Sequence, residues 1–118
     1  MYQLNVIKQT KLVKQLGGPP VFHDGFLRRV LIDGDEMTLV IRILASNNPL
    51  LSADTMVALK LLGVTRTLIN ATDVGQHVMV IHDLDIRKEN DGLHMVLESS
   101  SGEVSEVWFA AIELTSIK

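Results

Sequence analysis

The chain has 118 residues, 47% of them apolar, with fourteen acidic side chains against eleven basic ones for a net charge of −3; that length suits one domain, so residues 1–118 are expected to share a single core. Cysteine is absent, which excludes disulfides, thiolate metal sites and a thiol nucleophile and makes a reducing compartment, the cytoplasm, the expected location. The basic residues are scattered and aromatic residues make up 4%, which argues against nucleic acid as a partner, and no stretch approaches the ~20 apolar residues of a membrane span.

The opening Met1-Tyr2-Gln3-Leu4-Asn5 lacks the basic and apolar regions of a secretory signal, so export by that route is not expected. From Asn5 to Leu16, the residues Val6, Leu12, Val13 and Leu16 fall on one side of a helical wheel and Lys8, Lys11 and Lys14 on the other, which predicts an amphipathic helix laid on a core. Tyr2, Leu4 and Val6 also alternate as a strand does. Gly17-Gly18 stops the helix and Pro19-Pro20 prevents its continuation. Beyond this break the chain reads as strand and turn. Phe26 to Ile32 and Met37 to Leu44 are β-rich runs joined by Asp33-Gly34-Asp35-Glu36, a hairpin connection, and Ser46-Asn47-Asn48-Pro49 marks a longer loop.

Thr55 to Val64 and Arg66 to Ile69 are expected as strand, although Ala58-Leu59-Lys60-Leu61-Leu62 would suit a helix as well. The clearest alternation sets Val78, Val80, His82, Leu84 and Ile86 on one face and Asp83, Asp85 and Arg87 on the other. Asn90-Asp91-Gly92 turns the chain back into a strand with Leu93, Met95 and Leu97 on one side, and a final long strand runs from Glu103 to about Leu114. The expected class is α+β: an N-terminal amphipathic helix packed on an antiparallel β-meander, as a twisted sheet, roll or open barrel.

Few constellations carry chemistry. His23 and Asp24 could bind a metal or polarise a water, but neighbours in an extended segment point to opposite faces. A structural turn is the expected role of Phe22, His23 and Asp24, with Phe22 anchoring the loop and Asp24 accepting backbone N–H bonds. His77, Asp83 and Asp85 share a face, and the two carboxylates are close enough to chelate a cation, but a solvated sheet face explains them as well. His82, on the apolar face, is expected at the core edge. The serines Ser99, Ser100 and Ser101 occupy a turn without a nucleophile elbow, and Gly17-Gly18 before two prolines lacks the N–H donors of a phosphate loop. Trp108 is expected in the core, with a partner anchor as the alternative. No catalytic residue, metal site or cofactor is expected.

The order of these features is familiar. A Phe22-His23-Asp24 triplet after a Gly/Pro break, a hairpin, a central Gly63-Val64 strand, then Ile81-His82-Asp83-Leu84-Asp85-Ile86 and a closing Gly102 to Ile112 strand together resemble small bacterial immunity proteins of polymorphic toxin systems. The resemblance implies a cytosolic protein without enzymatic activity that binds a cognate toxin and blocks it by occlusion. An interface of that kind is expected at acidic hairpin tips and outward strand faces, here Asp33, Asp35, Glu36, Asp83 and Asp85, facing a basic toxin. Two other readings stand beside it. One is a small metal-dependent hydrolase using His23 and Asp24, and the other is a structural subunit forming homo-oligomers through a sheet edge.

Overall fold

A computed structural model describes residues 21–68, 79–89 and 91–116, and every regular element among them is a strand. In chain order these are β1 (Phe26–Asp33), β2 (Glu36–Ile43), β3 (Thr55–Leu62), β4 (Arg66–Leu68), β5 (Met79–Glu89), β6 (Gly92–Ser99), β7 (Val104–Phe109) and β8 (Ala111–Ser116). All pair antiparallel, in the order β4-β7-β6-β5-β1-β2-β3-β8. The expected α+β class is therefore corrected to all-β. Its helical part rested on residues 5–16, which lie outside the described residues, and the internal segment of mixed propensity is strand.

Burial explains that choice at Thr55–Leu62. Val57, Leu59 and Leu61 are fully buried at period two while Ala58, Lys60 and Leu62 are half-buried, and β2 and β8 supply backbone partners on either side. Helix-forming composition is a weak prior against two ladders and a buried face. The same period holds in β2, where Met37, Leu39, Ile41 and Ile43 point inward, and in β6, where Met95 and Leu97 do. With Phe22, Ile81, Leu84, Ile86, Phe109 and Leu114 they form one core.

The strand order conceals a closure. β4 continues β3 after Gly63-Val64-Thr65, and β8 continues β7 after Ala110. Leu62 pairs with Ala111 on one side of this corner and Arg66 with Trp108 on the other. Ala110 N–H donates to Leu62 O at 2.8 Å and Thr65 N–H to Trp108 O at 2.9 Å, so the ladder is carried around the bend. Both ends of the strand order are thus one bent two-stranded ribbon, and the sheet closes into a barrel. Gly63 makes the bend with φ +67°, and a Cβ there would lie 2.9 Å from Ala110 Cβ. The long closing strand expected from Glu103 to Leu114 is accordingly two strands.

A second corner lies in β5. Ile81 pairs with Ser99 and Asp83 with Glu98, leaving His82 as the extra residue of a bulge. β5 meets β1 only before the bulge, through Val80 with Phe26 and Met79 with Leu27, and it meets β6 from Ile81 onward, across the bulge. An inserted residue inverts the phase of a strand. Ile81, Leu84 and Ile86 are therefore fully buried and His82 is exposed, which corrects the expected single face running through Val80, His82 and Leu84.

Candidate functional site

The Phe22-His23-Asp24-Gly25 segment is a turn built into the barrel wall. Gly25 N–H donates to Phe22 O at 2.8 Å, and Asp24 between them has φ 62°, the left-handed position of a type II turn. Asp24 N–H donates to Ile81 O at 2.8 Å and Ile81 N–H to Gly25 O at 2.9 Å, so the turn splices β1 to β5 at the bulge. Gly25 has no room for a side chain, since a Cβ would meet Arg42 O at 2.8 Å. Phe22 is fully buried, as expected of an anchor.

The acceptor role expected of Asp24 belongs to another residue. Its carboxylate lies 3.5 Å from His23 Nε2, whereas the buried Asn48 accepts from Val21 N–H at 2.8 Å and donates to Val21 O and Leu44 O. Asn47 donates to His23 O at 2.9 Å. Asn-Asn-Pro reads locally as loop punctuation, and partners 27 residues away leave no local signal. His23 and Asp24 also meet, contrary to the opposite-face argument, because the backbone turns there instead of extending. His23 Nδ1 is 2.6 Å from His82 O, and the His23 and His82 rings meet edge-on at 5.5 Å. Both nitrogens of His23 thus face oxygen atoms of the protein itself.

A denser cluster stands on the outer face of the other half of the barrel. Arg87, His94, Trp108 and Arg66 are cross-strand neighbours on β5, β6, β7 and β4. The His94 ring stacks on Trp108, 4.4 Å between centroids and 7° from parallel, and the Arg66 guanidinium lies 4.8 Å from the indole centroid. His94 Nδ1 is 2.9 Å from Glu89 Oε1 and Nε2 is 3.1 Å from Glu106 Oε1. A neutral imidazole can donate to one of these carboxylates, and the protonated ring to both. Trp108, expected in the core, is half-buried on this outer face because Val107 and Phe109 take the inward positions. Beside it opens a cleft of about 330 Å³ whose lining includes Thr65, Glu89, Asp91, Leu93 and Trp108.

The expected acidic residues divide. Asp33 pairs with Glu36 across the Gly34-Asp35 turn, and Asp33 and Asp35 are exposed. Glu36 is half-buried, with Oε2 3.3 Å from Lys60 Nζ. Asp83 is exposed, but Asp85 is only 4% exposed and holds Arg87 Nε at 2.8 Å, which corrects its expected place on a solvated face and breaks up the Asp83/Asp85 chelating pair. Burial acts to raise the Asp85 pKa, but hydrogen bonding and positive charge, the Arg87 guanidinium among them, prevail and hold it below the usual carboxylate value. His77 lies outside the described residues.

Beside the acidic tip stand two residues that the sequence reading passed over. Leu31 is 50% exposed and Ile32 66%, consecutive on β1 and so on opposite faces of it. Their adjacency was the available signal, since two successive strand residues cannot both face one core. A groove of about 240 Å³ runs from Ile32 and Glu36 to Val64, Arg66 and Thr67, bridged by a 2.7 Å bond from Val64 N–H to Asp35 O.

Among the described residues no group of three metal-ligating side chains is placed to hold one ion, since Glu89 and Glu106 lie on opposite nitrogens of His94, and no helix is long and apolar enough to cross a membrane. Comparison with family models, curated proteins and solved structures finds no match to this chain.

Proposed function

We propose that this chain is a non-enzymatic protein-binding domain that covers a basic cleft of a partner protein, in the manner of a cytoplasmic immunity protein occluding its toxin. The observation that carries the reading is the β1–β2 tip, where exposed Leu31 and Ile32 adjoin exposed Asp33 and Asp35. Apolar anchors rimmed by charge are what a desolvating interface uses, and the acidic rim speeds encounter with a basic surface. Asp83 is exposed as well but stands apart from this tip, since β5 meets β1 at its other end, through Phe26 and Leu27; Glu36 contributes at the margin of the tip, and the buried Asp85 drops out of the set.

The test is co-expression with the product of the neighbouring gene, followed by binding kinetics across a salt series. Asp33→Lys with Asp35→Lys should leave folding within about 0.5 kcal/mol of the parent. It should slow association roughly 10-fold at low salt and much less at high salt, while Ile32→Ser should chiefly quicken dissociation. Salt-independent association rates would remove the acidic tip from the interface. Failure to form any complex, with light scattering showing self-association instead, would favour a subunit that assembles through a sheet edge.

A further inference from the structure

The cleft beside Trp108 has a charge pattern that the β1–β2 tip does not explain. Among the described residues its lining carries two carboxylates, Glu89 and Asp91, and no cationic side chain. Glu89 gives one oxygen to His94 at 2.9 Å, and a carboxylate offers about four acceptor sites in all. Asp91 is exposed and makes no ion pair among the described residues. The guanidinium groups of Arg66 and Arg87, on β4 and β5, are engaged elsewhere, Arg66 against the indole face and Arg87 on Asp85. Gly63 and Gly92 add no side chain to the lining, so among the described residues nothing fills the space beside Trp108 and the carboxylates. A volume of about 330 Å³ lies at the lower end of the roughly 300–1,000 Å³ of small-ligand sites, suited to one side chain.

We propose that this cleft receives an arginine side chain presented by the partner protein, with Glu89 and Asp91 accepting from the guanidinium and Leu93 and the edge of the Trp108 indole flanking its aliphatic stem. The assignment rests on the protein-binding reading and adds to it the chemical group recognised. Two carboxylates on one hairpin match the planar fork of a guanidinium, which is also more weakly hydrated than the point charge of a lysine ammonium. The stem of such a side chain gains by lying on apolar surface while its head stays polar.

Trp108 is the one tryptophan of the chain, so its indole N–H gives a single reporter resonance. The experiment titrates isotope-labelled protein with acetyl-Gly-Arg-Gly-amide and, in parallel, with the same peptide carrying citrulline, the neutral isostere. The arginine peptide should move the indole resonance saturably, in the millimolar range suited to one side chain, and citrulline should not. Glu89→Gln or Asp91→Asn should each weaken binding about 3-fold, and the double variant about 10-fold. The Asp33→Lys, Asp35→Lys protein should bind the peptide as the parent does. An equal response to citrulline, an undiminished response in the double variant, or no response to arginine would each overturn the assignment. A silent indole with an intact partner complex removes this cleft alone, whereas an arginine response without any protein complex overturns the partner as the source of the arginine.

Discussion

Asp24 holds a conformation that most L-residues adopt only at a cost, and its neighbours leave little choice. Gly25 is pinned by the Arg42 carbonyl, Phe22 is locked in the core, and the Asp24 amide is committed to Ile81. The demand on position 24 is therefore a positive φ, which Gly meets freely, Asn and Asp tolerate, and Ala meets with strain of roughly 1–2 kcal/mol. Asp24→Ala should lower stability by about 1 kcal/mol, while Asp24→Asn and Asp24→Gly should leave the denaturation midpoint at or above the parent's. If Asp24→Gly loses as much as Asp24→Ala, the carboxylate matters and the backbone account fails. The turn itself was legible in Phe-His-Asp-Gly, because Asp before Gly marks a chain reversal. Which part of Asp24 serves it was not, since the competing acceptor, Asn48, is far away in sequence.

The strands were legible wherever alternation ran unbroken, as in Met37 to Ile43 and Leu93 to Leu97. It failed at the places where a strand changes partner. The extra residue at His82 inverts the phase of β5 without altering composition, so a strand that alternates cleanly on paper buries Ile81 and exposes His82. The corner at Gly63 and Ala110 is likewise invisible locally, since a glycine within an apolar run reads as a weak strand position and an alanine as nothing in particular. Structure makes the pair interdependent. Gly63→Ala should destabilise by about 1–3 kcal/mol, through left-handed strain at φ +67° and through the 2.9 Å approach to Ala110 Cβ. Adding Ala110→Gly should return the steric share and leave the strain. A double-mutant cycle in chemical denaturant measures the coupling, and strictly additive effects would show that the two methyl positions do not meet.

At the scale of the molecule, composition settled that a core without staples was affordable, but it did not reveal that the sheet closes, because closure depends on which strands share a ribbon. Adjacency alone says that Leu31 and Ile32 cannot both face the core, but that neither is covered depends on the hairpin end standing clear of the closed sheet. The shared ribbon also governs how the protein comes apart. One continuous pair of chain segments, Thr55–Leu68 against Val104–Ser116, supplies hydrogen bonds to both halves of the barrel. Neither half can melt while the other stays intact without tearing that ribbon at its bend. Heat unfolding is therefore expected as a single all-or-none event, with a calorimetric enthalpy equal to the van't Hoff enthalpy. Two resolved transitions would mean that the bend is a hinge between independent halves. A single one makes it the seam through which strain at either face reaches the whole chain, so that a substitution at the acidic tip and one at the Trp108 cleft draw on the same reserve of stability.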